Sequence, residues 1–129
     1  MSVLWIQQTF RYKFPTGEPD IVWDIGAARQ AVTRGLTVLP EPVRIEPAMM
    51  RDISESNEWD PERLDGVDPD EPGIAAPIID EGRVIYILID GQHRNARALR
   101  DGKAFSAYIL TDQASRACVL EPRSHPRLP

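Results

Sequence analysis

Asp90-Gly91-Gln92-His93-Arg94 brings together in five residues a carboxylate, a flexible hinge, an amide, an imidazole and a guanidinium. Gly91 permits a sharp bend and a close approach of backbone to a ligand. If a helix opens there, its free N–H groups and its dipole favour an anion. Arg94 offers a two-pronged fork for phosphate oxygens. His93 can donate a hydrogen bond or pass a proton near neutral pH. Asp90 can orient a hydroxyl or an imidazole, or ligate Mg2+. The turn reads as a phosphate-binding turn at the edge of a sheet, where α/β proteins bind ligands. A plainer alternative makes Asp90 the N-cap, Gly91 a turn glycine, and His93 and Arg94 solvated residues of the first turn. Two cations in a first helical turn oppose the dipole, however, and a local conflict of that kind marks a functional position.

The elements that must hold this turn are legible around it. Val84 to Ile89 is continuously apolar and predicts a strand buried on both faces. Ala76 to Ile79 predicts a short strand, joined to it by the tight turn Glu81-Gly82. A helix is expected from about Gln92 to Asp101, stopped by Gly102. Arg94, Arg97, Arg100 and Lys103 recur along it at a spacing of three. They form either a solvated face opposite Ala96 and Leu99, or a basic strip for phosphates. Phe105 to Leu110 predicts the next strand, and Thr111 or Asp112 caps a final helix over Gln113 to Cys118. Upstream, residues 3–14 alternate, with Leu4, Ile6, Phe10, Tyr12 and Phe14 on one side, as in a half-buried strand. Residues 15–19 make a turn. Asp24 can cap a helix carrying Ile25, Ala28 and Val32 and ending at Gly35. Val43 to Ile45 predicts another short strand, and Pro47 can open a turn with Met49 and Met50 as gap-fillers. These elements describe a single compact α+β domain over residues 1–120, a mixed sheet with flanking short helices, followed by a proline-rich tail, 121–129.

The 129 residues match one domain, and 42% apolar residues suffice for a core. No apolar run approaches a membrane span. The start, MSVLWIQQTFRYKF, lacks the features of a signal peptide. Cys118 is the one cysteine, so no internal disulfide forms, and a reducing, cytoplasmic compartment is expected. One Cys and two His (His93, His125) do not make a structural zinc site. Cys118 reads as a small buried apolar residue, and Trp5, Trp23 and Trp59 as packing residues rather than base-stacking platforms. The net charge of −5 argues against non-specific coating of nucleic acid. It is unevenly spread: Asp52 to Glu71 carries nine carboxylates opposed only by Arg63. That segment is a solvated loop with a short helical turn at PERL, anchored by Trp59 or Leu64, or else a lid over a basic site or a mimic of a nucleic-acid backbone.

The stretch from Ala76 to Cys118 resembles the ParB/sulfiredoxin superfamily. The resemblance rests on API, a hairpin, VIYILIDGQHRNARAL, and the strand FSAYIL followed by TD. Family members share a Pro-Ile strand, a hairpin and a Gly-x-x-Arg turn opening a helix. That turn reads DGHHR in free-serine-kinase-like members, GGCHR in sulfiredoxins and DGQHR in a family that regulates DNA phosphorothioation. The resemblance covers about a third of the chain well. It implies a ParB/sulfiredoxin-like fold and places a nucleotide's phosphates at Gly91, Gln92, His93 and Arg94. It also implies ATP or another nucleotide with Mg2+, Asp90 and His93 handling metal or proton, and an upstream glutamate as base. Glu46, after the strand Val43 to Ile45, is the best positional candidate for that base, with Glu41 next. Gln92 stands where sulfiredoxins carry their catalytic cysteine, so reductase activity is not expected. The second partitioning motif, ENxxR, is absent, so neither is a DNA-sliding clamp.

The expectation is therefore a nucleotide-binding protein that hydrolyses or transfers the γ-phosphate. Two alternatives stand beside it. One is a metal-dependent DNA nuclease using Asp90, His93 and an acidic partner. The other is a regulatory or interaction module that docks DNA or a DNA-associated protein through the 52–71 acidic segment, in plasmid, phage or DNA-modification systems. No membrane partner is expected.

Overall fold

A computed structural model describes residues 8–45 and 61–120. Two short strands, β1 (Thr9–Tyr12) and β2 (Ile21–Asp24), pair antiparallel, and helix α1 (Ile25–Thr33) follows at once. Then come β3 (Val43–Ile45), α2 (Pro61–Asp65), β4 (Gly73–Asp80), β5 (Arg83–Asp90), α3 (Gln92–Arg100), β6 (Phe105–Ile109) and α4 (Asp112–Ala117). The larger sheet has the order β3-β6-β4-β5, with β4 and β6 parallel and the other pairs antiparallel. The chain is a mixed α+β fold of sheets and short helices. Among the described residues no helix is long and apolar enough to cross a membrane.

Local chemistry accounts for most of these elements. Tyr12 and Phe14 are buried while Thr9, Arg11 and Lys13 face water, so the expected alternation holds where the strand is described. Asp24 caps α1 through its side chain, which accepts from the Ala27 N–H at 3.2 Å. Thr111 caps α4 in the same way, accepting from Ala114 at 3.1 Å. The turn Glu81-Gly82 has two positive φ angles, 51° and 75°, the geometry that suits a two-residue hairpin between twisted strands.

The large sheet is covered on both faces. Ile74, Ala76, Ile78, Ile87 and Ile89 pack with Tyr12, Phe14, Trp23, Ile25, Ala28 and Cys118, beneath the β1–β2 hairpin, α1 and α4. Ala75, Leu88, Phe105 and Ala107 pack against Ala98 of α3 on the other face. The Trp23 indole N–H donates to the Ser115 hydroxyl at 3.1 Å, so the largest buried ring keeps its polar atom satisfied. Cys118 is buried, and burial pushes its thiol pKa up, as befits a packing residue.

Three expectations need correction. β2 was not anticipated: Ile21 to Asp24 is a strand, and its Trp23 lies opposite Phe10 of β1. β5 is buried only from Ile87 onward, because the strand is at the sheet edge and its first residues, Arg83 and Val84, lie exposed beside the turn. Ala98, not Leu99, joins Ala96 on the buried face of α3, and Leu99 is half exposed. Leu64 anchors the PERL turn, whereas Trp59 lies outside the described residues. So do residues 1–7, the turn expected at Pro47, Glu46 and the tail.

The edge of the sheet where β4 starts and β5 ends is tightly closed. A Cβ at Gly73 would sit 2.5 Å from the Asp90 carbonyl oxygen. Gly91, at φ 98°, would place a Cβ 3.0 Å from Gly73 Cα. Gly73→Ala is expected to destabilise the fold by about 1–3 kcal/mol, as overpacking does. Gly91→Ala should cost about 1–2 kcal/mol from its left-handed backbone. Gly66→Ala, whose nearest contact is an ordinary 3.6 Å, should be close to neutral. Urea melts of the three variants measure these differences.

Candidate functional site

Strand β5 delivers Asp90 to its last position, where the residue is only 7% exposed. Gly91 turns the chain in a left-handed conformation and is itself the N-cap of α3. Asp90 is therefore not the cap, contrary to the plainer alternative: a glycine at φ 98° leaves the carboxylate one residue behind the helix start. Gly91 has no side chain with which to cap α3. Its first bond of helical type runs from the Asn95 N–H to the Gly91 carbonyl at 2.8 Å, so the amides that precede it in the first turn have no carbonyl of their own helix to bond.

The Asp90 carboxylate is gripped from two sides. Arg29, on α1, donates through Nε to Oδ2 at 3.0 Å and through NH2 to Oδ1 at 3.2 Å. Arg94 NH2 approaches Oδ2 at 3.5 Å. A carboxylate this buried needs such partners, because an unpaired charge away from water is costly. Hydrogen bonding to Asp90 raises the Arg29 pKa above its ordinary value, and the charges of Asp90 and Glu71 add to the effect. The Arg94 side chain is 13% exposed, so it is not the solvated first-turn cation of the plainer reading. Its NH1 also donates to the Pro72 carbonyl at 3.0 Å and pairs with Glu71 at 3.2 Å.

The expected site residues thus divide. Asp90, Gly91, Arg94 and the start of α3 come together. The Gln92 side chain folds back, donating to the Leu88 carbonyl at 2.7 Å, so only its backbone faces the turn's mouth. His93 lies in the first turn of α3, half-buried; burial, then the charge of Arg63, lowers its pKa. Glu46 lies outside the described residues. Glu41 is exposed in the loop before β3.

The donor set at the turn does not fit a directly ligated Mg2+ ion. Both Asp90 oxygens accept from Arg29, a second guanidinium stands beside them, and among the described residues no group of three His, Cys, Asp or Glu side chains could hold a metal. Asp90 works here as a positioning residue for two arginines.

The arginine series along α3 is neither a free strip nor a simple solvated face. Arg97 NH1 donates to the carbonyls of Asp65 and Val67 at 2.9 and 2.6 Å. Arg100 pairs with Asp65 at 2.8 Å. With Arg94 on Glu71 and Pro72, three turns of α3 hold residues 65–72 as a strap. The described end of the acidic segment is therefore a short helix and an exposed loop, as the plainer reading of it expected, tethered to α3 by arginines, and residues 52–60 lie outside the described chain.

Arg29 and Glu71 were missed from the sequence. For Arg29 a faint signal existed: its spacing from Ile25 and Val32 sets it at the margin of the apolar stripe of α1, within reach of the sheet. Nothing local tied it to Asp90.

Comparison of the chain with protein-family models, with curated proteins and with solved structures finds no match. The residues themselves carry the functional argument.

Asp90→Asn should destabilise the protein by about 1–3 kcal/mol. That is below the cost of breaking a fully buried pair, because the Arg29 side chain is 52% exposed. Arg29→Gln should cost less, since Arg94 remains beside the carboxylate. Denaturant melts of the two variants test the order. A histidine whose folded pKa is lowered binds its proton more weakly folded than unfolded. Stability should therefore fall as pH drops below the ordinary histidine value of about 6.5. In His93→Gln that part of the pH dependence should disappear from melts recorded between pH 8 and 5.

Proposed function

We propose that the chain is a ParB/sulfiredoxin-like domain that binds the phosphates of a nucleotide at the start of α3. ATP is the probe of choice, with the γ-phosphate as the group to be hydrolysed or transferred. The observation that carries this reading is the glycine N-cap of α3 with the inward-held Arg94 in the first turn. The first turn of a helix, with its amides and dipole, attracts an anion, and a guanidinium beside it gives phosphate oxygens a fork. The order β4, hairpin, β5, α3, β6, α4 supports the resemblance, as does the seating of Gly91 against Gly73 and Phe105, which puts backbone where a side chain would stand.

Roles follow from position. The amides of Gln92, His93 and Arg94 and the Arg94 guanidinium would hold phosphoryl oxygens. Arg29, fixed by Asp90, would add positive charge at the rim. His93, with its lowered pKa, is mostly neutral at pH 7 and able to accept a proton. Mg2+ would enter as part of the nucleotide substrate rather than on Asp90. Positioning and charge neutralisation are the main demands of phosphoryl transfer.

ATP with Mg2+ should raise the melting temperature by a few degrees at ten times its Kd, which corresponds to ~1.4 kcal/mol. ADP should do so less, and adenosine not at all. Arg94→Ala should abolish the shift. Unchanged melting with every nucleotide at millimolar concentration would remove the reading.

A further inference from the structure

We infer that Glu71 is an electrostatic gate on the anion site at the start of α3, its carboxylate holding the place on Arg94 that a ligand's phosphoryl oxygens take. The inference rests on the phosphate-binding reading above and assigns its regulation. Arg94 NH1 has two partners, the Pro72 carbonyl and Glu71, and they differ in kind. The carbonyl belongs to backbone at the entry to β4 and stays put. Glu71 is a side chain, 66% exposed against 13% for Arg94. An ion pair with one partner so wetted is weak and easily exchanged.

Charge makes the exchange consequential. With Glu71 in place, the charges of Arg29 and Arg94 are balanced by those of Asp90 and Glu71. Once Glu71 swings out, one positive charge remains, added to the positive end of the helix dipole. The charge of Glu71 also reaches Arg29, so both arginines respond to its departure.

The strap is built for a local release. Its far end is fastened to α3 by Arg97 on the carbonyls of Asp65 and Val67, and by Arg100 on Asp65. Between the fastenings is a tight turn, in which Asp70 N–H donates to the Asp68 side chain at 2.9 Å and Glu71 N–H to the Asp68 carbonyl at 3.3 Å. The Glu71 side chain can leave while the backbone on either side stays seated. The anion it yields to must carry more charge than a single carboxylate, which a terminal phosphoryl group does.

Calorimetric titration of the full chain with ATP and Mg2+ tests the gate in three proteins: the unaltered chain, Glu71→Gln and Asp70→Asn. Asp70 is exposed in the same segment, so its variant removes an equal charge without touching Arg94. Glu71→Gln should bind roughly two- to five-fold more tightly, the span that removal of an exposed competing ion pair allows. Asp70→Asn should bind as the unaltered chain does. Binding by Glu71→Gln alone would also support the gate, as one that is firmly closed. Equal affinity in the unaltered chain and Glu71→Gln would overturn the gate and leave the phosphate site standing, as would equal tightening in Asp70→Asn. Absence of binding in all three would overturn both.

Discussion

The Asp90 carboxylate, held between Arg29 and Arg94, is the contact on which the site depends. It joins the end of a strand to two helices that lie on opposite faces of the sheet. Asp90 and Arg94 are each unfavourable where they stand without a partner. Asp90 is a charge withdrawn from water, and Arg94 stands in a first helical turn where the dipole opposes a cation, while the half-exposed Arg29 supplies the charge that balances them. Together they cancel, and their mutual satisfaction fixes how α1 and α3 are oriented about the end of β5. The anion that the first-turn cations demand is already present in the chain, in a buried member (Asp90) and an exposed one (Glu71).

That division gives the site a stiff back and a soft front. Behind the turn, Gly73, Gly91 and Phe105 stand so close that no side chain could be added without moving backbone. In front, one carboxylate reaches in from solvent on a strap fastened by arginine-to-carbonyl bonds. Close packing resists small displacements, while exposed ion pairs exchange readily. A rigid scaffold that carries one exchangeable contact is suited to recognising an anion, since little must be reorganised when the ligand arrives.

What could be read from the sequence follows the range of the forces involved. The caps at Asp24 and Thr111, the turn at Glu81-Gly82 and the stop at Gly102 depend on neighbours within a few residues, and the residue types declared them. β2 was hidden because its four residues lie between a turn and a helix cap, too short for an alternation to show. The exposed start of β5 was hidden for a different reason: a run of apolar residues does not reveal that its strand lies at a sheet edge. At the site, Asp90 passed for an N-cap because Asp is a common one, yet the backbone conformation required there belongs to glycine. The pairing with Arg29 spans 61 residues and the seating of the strap more than 20, and neither leaves a periodic trace. Charge alone could mark 52–71 as acidic but not say whether water or arginine faces it.

Strand β4 has one further property. It pairs with β5 along its length, but with β6 only from Gly73 to Ala75. The Ala75 carbonyl points to the β6 side, where it accepts from Leu110. Two residues on, Pro77 presents its ring nitrogen to that same side, beyond the end of β6. That margin is nevertheless closed: Pro77 is buried, with Ser115 and Arg116 of α4 close by. A residue with no hydrogen to donate stands where β6 has ended, so β4 can run on through the interior without stranding an amide away from water.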